Sequence, residues 1–362
     1  MRTAASTATP ARSASSSPDH RARRGRTLTG LAVVAVSALA LTGCVAGENA
    51  QAGAPGSPAA EGGSGADTLA IDFATYNPLS LVIKEKGWLE EELQDEGVEV
   101  EWVQSAGSNK ANEALRAEAI DVGSTAGSAA LLARANGSPI KTISLYSQPE
   151  WSALVAAEGS EITEVSDLEG RSVAATKGTD PYFFLIQALD EAGVDTASVT
   201  VQNLQHADGR AALENGSVDA WSGLDPIMAG AEQAGAELFY RNVDFNTYGF
   251  LNATESFLEE SPEVAQTVVD VYEQARTWAL ENPEETAQIL AEVAGLEPEV
   301  ARTVIEERSN LDVDPVPGQA QLDVLTTVGP IFVETGDVRD QAAVDQALTE
   351  LLEPSFAQKA VQ

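Results

Sequence analysis

ALRAEAIDVGS (residues 114–124) and ALENGSVDAWS (residues 212–222) share one skeleton: Ala-Leu, four residues, Ile/Val-Asp, two residues, Ser, at a constant offset of 98. In each copy a helix ends, a short strand rises, and a serine-bearing loop leaves the strand at its carboxyl end. Ligands of open α/β sheets bind at that end. Two such units facing each other enclose a cleft.

Working outward, short strand-like runs alternate with helical stretches from Thr68 on, the pattern of βα units. Leu69, Ile71 and Phe73 alternate along one strand, Val98, Val100 and Trp102 along another, and a helix lies between them. Ser261-Pro262 and Asn282-Pro283 each pair a capping residue with a proline at the first helical position. Gly295 stops the second of these helices, and Val264, Val268, Tyr272, Ala275 and Trp278 share a face of the first. The C-terminal tail is therefore helical and packed.

The N-terminus is of another kind. Arg21, Arg23, Arg24 and Arg26 precede the apolar run Leu28 to Thr42, which is short for a bilayer span and right for a signal-peptide core. It ends in LTGC, residues 41–44, which resembles a bacterial lipobox, so residues 1–44 read as a lipoprotein signal with Cys44 as the lipidated residue. Two acyl chains of a diacylglycerol would anchor the chain at the outer face of the cytoplasmic membrane. Residues 45–67 are rich in Ala, Gly, Ser and Pro, the composition of a flexible tether. After Cys44, 15 Lys and Arg stand against 55 Asp and Glu, a net of −40 that excludes nucleic acid and acidic lipid headgroups as partners. Cys44 is the only cysteine and His20 and His206 the only histidines, so no Cys/His set exists for a metal or haem site, and no cofactor is expected.

EKGWLEEEL (85–93), SAGSNKANEAL (105–115), AIDVGSTAGSAAL (119–131), DLEGRSVAATKGTDPYFFLIQAL (167–189), HADGRAALENGSVDAWSGLDP (206–226) and NTYGFLNATESF (246–257) together resemble the aliphatic sulfonate, taurine and nitrate group of solute-binding proteins that feed ABC importers. The resemblance implies an α/β, two-lobed class II periplasmic-binding-protein fold. Two mainly parallel sheets are joined by two crossover strands, Ser152 to Ala157 and Tyr248 to Ala253, with a helical C-terminal tail. Residues 68–151 and 249–362 would form lobe 1 and residues 152–248 lobe 2. It further implies a monomer that delivers a small anion to a permease and its ATPase, and binds without catalysis.

A sulfonate never protonates at working pH, so its site must supply fixed donors. Gly107-Ser108 before a helix opening at Asn109, Ser124-Thr125 before a helix around Ala129 to Ala135, and Gly178-Thr179 before the Pro181 helix each offer unpaired N–H groups at a positive helix end. Three such ends form a donor cage without an arginine. Tyr76 and Asn77 follow the first strand, where the family's first ligand loop lies, and Trp151, Trp221 and Tyr248 are the aromatic residues to cover an alkyl chain. Lys110 and Lys177 reach the cleft or snorkel to solvent, and His206 reads as a surface or capping residue.

Two positions depart from the family pattern. Thr179-Asp180-Pro181 places a carboxylate at an anion site; Asp180 either caps its helix or points inward, and with Asp225 it would then call for an amine on the ligand, as in taurine. Leu224 stands where relatives often carry an aromatic residue before Asp-Pro, which suits a more apolar tail. An enzyme of the thiamine-precursor branch of this fold would need a reactive histidine and a cysteine-rich stretch, and the chain offers neither. Taurine, nitrate or another small solute remain the alternatives to an aliphatic sulfonate.

Overall fold

Asp121 and Asp219, the acids of the two repeats, do the same work in two different sheets. In the computed structural model, which describes residues 68–362, the Asp121 carboxylate accepts from the Ala70 N–H at 2.8 Å and that of Asp219 from the Ser172 N–H at 2.8 Å. Each acid pins the start of the neighbouring strand. The signal, the lipobox with Cys44 and the tether lie outside the described residues.

The first sheet comprises β1 (Thr68–Phe73), β2 (Glu99–Gln104), β3 (Val122–Ala126) and β4 (Ile140–Ser147); the second comprises β5 (Ser152–Ala156), β6 (Ser172–Ala175), β7 (Thr200–Asn203), β8 (Ala220–Leu224) and β9 (Glu237–Tyr240). The chain then returns to the first sheet as β10 (Gly249–Thr254). The strand orders are β2-β1-β3-β10-β4 and β7-β6-β8-β5-β9, so the repeat strands β3 and β8 hold the central place in each. Both sheets are mixed rather than all parallel: β10 runs antiparallel to β3 and β4, and β5 antiparallel to β8 and β9. Each reversed strand is the first one laid down after the chain changes sheets.

Helix ends follow the local chemistry. Asn77 caps Pro78–Lys86 by accepting from the Ser80 N–H, and Gly87 closes that helix in the left-handed conformation, which glycine adopts without a Cβ penalty. Pro262–Glu281 and Pro283–Ala294 begin at their prolines, and Gly295 ends the second with φ 66°. Val264, Val268, Tyr272 and Ala275 are buried as one face of the longer helix, against the core of the first sheet. The helix Gln319–Glu334 lies on Gly127–Ala135, and its Phe332 meets Phe183 of the second lobe with ring centroids 4.7 Å apart. The two lobes therefore share a patch of dry core, in which each buried aromatic ring contributes roughly 1.5–3 kcal/mol.

Candidate functional site

The carboxyl ends of β1, β2 and β3 face those of β6, β7 and β8 across the seam between the lobes. The lobes are closed on each other, and the seam has three chemically distinct parts.

At its centre stands Asp180, the first residue of the helix Asp180–Glu191 and only 2% exposed. Its carboxylate accepts from the Thr247 N–H (2.7 Å), the Thr247 hydroxyl (2.7 Å) and the Trp151 indole N–H (2.9 Å), and from the Ser128 hydroxyl of the other lobe. Burial raises its pKa, and these donors pull the other way. An internal carboxylate thus occupies the meeting point of the Gly127–Ala135 and Asp180–Glu191 helix ends. Its lone pairs are used by the protein, so it neither caps its helix nor calls for an amine on the ligand.

On one side lies a buried charge pair that sequence reasoning missed. Arg308 ends a π-helical turn, Val304–Arg308, and reaches from the first lobe to Asp225 (3.3 and 3.4 Å) and Glu232 (2.6 Å) of the second. Burial pushes Asp225 up to about 6 against the pull of the Arg308 charge. Tyr76, Ser147, Trp151, Asp225, Arg308 and Ser309 help to line a cavity of about 10 Å³, room for one water-sized group. The rings of Tyr76 and Trp151 meet edge to face at 6.2 Å on its wall. Arg308 thus stands in the seam, but its guanidinium is engaged by Asp225 and Glu232. The only sequence signal was a lone arginine in VIEERSN, far from any recognised motif.

On the other side, the loop 107–109 faces 177–179 and His206. The N–H groups of Ser108, Asn109, Gly178 and Thr179 take no hydrogen-bond partner among the described residues. His206 is 1% exposed rather than a surface residue. The Thr176 hydroxyl donates to the Leu204 carbonyl at 2.7 Å, so the 3.2 Å contact with the ring uses a proton on Nδ1. Nε2 is left as a buried acceptor without a partner, and burial lowers the pKa to about 4, which keeps the ring neutral. Asn109 Oδ1 and Gln205 Oε1 are likewise buried and unpartnered, and either amide can turn to present its NH2 group instead.

Several expected ligand residues serve the scaffold. Asn77 is a helix cap whose amide donates to the Tyr272 hydroxyl. The helix after β2 begins at Ser108, not Asn109, and the Ser108 hydroxyl accepts from the Ala126 N–H at 2.9 Å. The Ser124 hydroxyl donates to Asp72 at 2.8 Å; that of Thr125 donates to the Ala126 carbonyl and accepts from Asn252. Neither hydroxyl is free for a ligand, and the helix they were to open starts at Gly127. Trp221 is fully buried between the second sheet and the helix His206–Glu214, where a Cβ on Gly209 would come within 2.7 Å of its indole nitrogen. It is a core residue and covers no ligand. Thr179 donates to the Thr176 carbonyl, so of Gly178-Thr179 only the backbone faces the seam. Tyr248 is half-buried beside the shared core. Lys110 pairs with Glu113 and Lys177 lies over the Tyr182 ring, both at the surface. Tyr76, Gly107, Trp151, Gly178 and Asp225 do border the seam.

A further group went unrecognised in the sequence. Asp72, fully buried at the end of β1, accepts from the Ser124 N–H and hydroxyl on Oδ1, while Oδ2 has no partner. Burial pushes its pKa up to about 7.

This geometry is set on a fold with known relatives. A protein of Bacillus subtilis (strain 168), named as an aliphatic sulfonates-binding protein, is 29% identical over 287 residues, covering 76% of this chain and 86% of that one. Its counterpart by name in Escherichia coli (strain K12) is 30% identical over 220 residues, 60% of this chain and 69% of that one. The alkanesulfonate-binding protein SsuA from Xanthomonas axonopodis pv. citri, solved bound to MOPS, superposes with a TM-score of 0.70 at 23% identity, over 79% of this chain and 99% of that chain. That likeness establishes the two-lobed periplasmic-binding-protein fold. A family model described as "NMT1/THI5 like" matches residues 78–286, more than half of the sequence, and the chain belongs to this family.

Proposed function

We propose that the chain is the extracytoplasmic solute-binding component of an ABC importer and captures small organic sulfonates by lobe closure. The observation that carries this is the set of N–H groups at Ser108, Asn109, Gly178 and Thr179, offered from both lobes at the ends of two helices and taken by no acceptor among the described residues. A permanently ionised headgroup with three oxygens matches fixed donors that need no proton transfer. The names of the relatives support the same ligand class. The chain binds and does not catalyse, in line with the names of its relatives, and the one histidine near the seam is neutral with its Nε2 packed against Gly107. It works as a monomer, lipidated at Cys44 and held at the outer face of the cytoplasmic membrane, where closure presents the loaded form to the permease and ATPase. Cys44→Ala should release the protein from the membrane fraction.

The test is thermal unfolding of the purified chain with alkanesulfonates, taurine, MOPS, nitrate and sulfate. A ligand at 100 times its Kd stabilises by about 2.7 kcal/mol. Stabilisation by sulfonates above nitrate and sulfate is expected; no shift with any sulfonate overturns the reading.

A further inference from the structure

We propose that the donor set between the loops 107–109 and 177–179 also takes organic phosphonates as their singly protonated anions, and that His206 is the residue that selects for the retained proton. The inference rests on the sulfonate reading for the place of the headgroup and adds a second ligand class to it.

The residues concerned meet in one corner of the seam. A Cβ on Gly107 would lie 3.0 Å from His206 Nε2 and 2.9 Å from Asn109 Oδ1, and one on Gly178 would lie 3.8 Å from the Asn109 Cβ. The two helix ends that carry the free N–H groups therefore share this corner with the His206 ring. Asn109 and Gln205 also bring buried, unpartnered acceptors, but each is an amide that can turn its NH2 group inward. His206 cannot change roles in that way. Its Nδ1 proton is spent on the Thr176 hydroxyl, which is itself committed to the Leu204 carbonyl, so Nε2 is an acceptor only, on a residue 1% exposed.

A sulfonate brings three oxygens and no proton. It can accept from the N–H groups, but it leaves His206 Nε2 without a donor or facing an oxygen lone pair. Protonating the ring would relieve this, yet the groups that face it, Thr176, Asn109 and Gly107, are neutral. The charged side chains on the same elements, Lys110, Lys177 and Asp208, lie at the surface, and burial holds the ring's pKa at about 4. An alkylphosphonate has the same tetrahedral shape and, when singly ionised, the same charge, but one of its three oxygens carries a hydrogen. Two oxygens then accept from the N–H groups while the P–OH donates to Nε2, which pairs the one acceptor that a sulfonate strands.

The experiment compares propylphosphonate with propane-1-sulfonate by isothermal titration calorimetry on the purified chain. At about pH 6 the phosphonate keeps its second proton and His206 is neutral, and the phosphonate should bind about tenfold tighter, the effect of one hydrogen bond to a charged group. At about pH 9 that proton is gone, and the phosphonate should lose at least about tenfold relative to the sulfonate, which controls for the titration of Asp72 and Asp225. Thr176→Val removes the acceptor that holds the proton on Nδ1, so the ring can carry it on Nε2 and donate; the preference should then turn toward the sulfonate. His206→Phe, which has no acceptor, should bring the ratio of affinities to about one. The pH comparison uses the unaltered chain and decides alone where a variant does not fold. A phosphonate that does not bind, one that binds better without its P–OH, or a ratio that neither substitution moves overturns the phosphonate inference and leaves the sulfonate reading standing. Binding of neither compound overturns the sulfonate reading, and this inference with it.

Discussion

Asp180→Ala tests whether the central carboxylate is a clasp of the protein or a contact for cargo. The substitution strands four donors. The Ser128 and Thr247 hydroxyls can rotate toward other acceptors, but the Thr247 backbone N–H and the Trp151 indole N–H, now 2.7 and 2.9 Å from Oδ2, are fixed in a dry seam. Each stranded donor costs about 1–3 kcal/mol, and losing the penalty of burying a carboxylate returns part of that, so a net loss of about 2–4 kcal/mol follows. Asp180→Asn behaves differently. Its carbonyl oxygen can face the two fixed N–H groups while its NH2 faces hydroxyls that turn to accept, and the loss should stay near 1 kcal/mol. Urea unfolding followed by circular dichroism measures both, read as a shift in midpoint at constant m. An Ala variant within about 0.5 kcal/mol of the parent, or an Asn variant as weak as Ala, would refute the clasp. A role in ligand recognition would instead appear as lost affinity for a sulfonate with stability intact.

Two further outcomes follow from the seam. A Cβ on Gly107 would lie 2.9 Å from Asn109 Oδ1 and 3.0 Å from His206 Nε2 of the opposite lobe, so Gly107→Ala opposes closure and should weaken sulfonate binding about 5- to 150-fold, the range of an overpacked contact. His206→Ala in the same chain should restore part of that affinity, and a calorimetric double-mutant cycle with no coupling would sink the contact. For pH, Asp72 at about 7 and Asp225 at about 6 hold protons in the folded state that the unfolded chain releases near 4. Stability should therefore fall as pH rises from about 4 to 7, by up to about 1.4 kcal/mol per unit for each group. His206, lowered to about 4, offsets part of that fall between about pH 4 and 6.5, and Asp167, Asp219 and Glu350, whose pKa values are also lowered, act with the opposite sign at more acid pH. The melting temperature at pH 5 should exceed that at pH 8, and Asp72→Asn should flatten the slope; a parent protein more stable at pH 8 contradicts the argument.

The architecture was legible because its signals are local. The 98-residue offset between β3 and β8, the prolines opening Pro262–Glu281 and Pro283–Ala294, and the alternation in β1 each follow from neighbours in sequence. The seam was legible only in outline. The loops 107–109 and 177–179 could be placed because backbone N–H groups at a helix end are free whatever the side chains are. Which hydroxyls are free is decided by partners far along the chain: Asp72 takes Ser124 from 52 residues away, and Asn252 takes Thr125 from 127. Trp221 misled because a tryptophan in a strand of either face reads the same until a helix covers one face. Arg308 stayed hidden because a buried arginine is recognised by its acids, Asp225 and Glu232, and these lie 83 and 76 residues away.

The unequal finish of the seam also says which edge must open to admit a ligand. Around Asp180 every donor is matched, and Phe183 and Phe332 exclude water beside it, so parting the lobes there exposes apolar surface and breaks charge-assisted bonds. On the side of the loop 107–109 Gly107 abuts His206, whose Nε2 is buried and unpaired. An unpaired buried acceptor gains by meeting water, about 1–3 kcal/mol, so this side carries a standing bias toward opening that cargo must reverse. The lobes should therefore swing about the Asp180–Phe332 side and part first at Gly107. Hydrogen exchange separates the two edges: in the unliganded chain the amides of Ser108, Asn109, Gly178 and Thr179 should exchange fast and become protected on sulfonate binding, while those of Leu185 to Ala188 stay slow in both states. Equal protection of both edges without ligand would mean that the closed form needs no cargo, and would remove the basis for a swing about the Asp180 side.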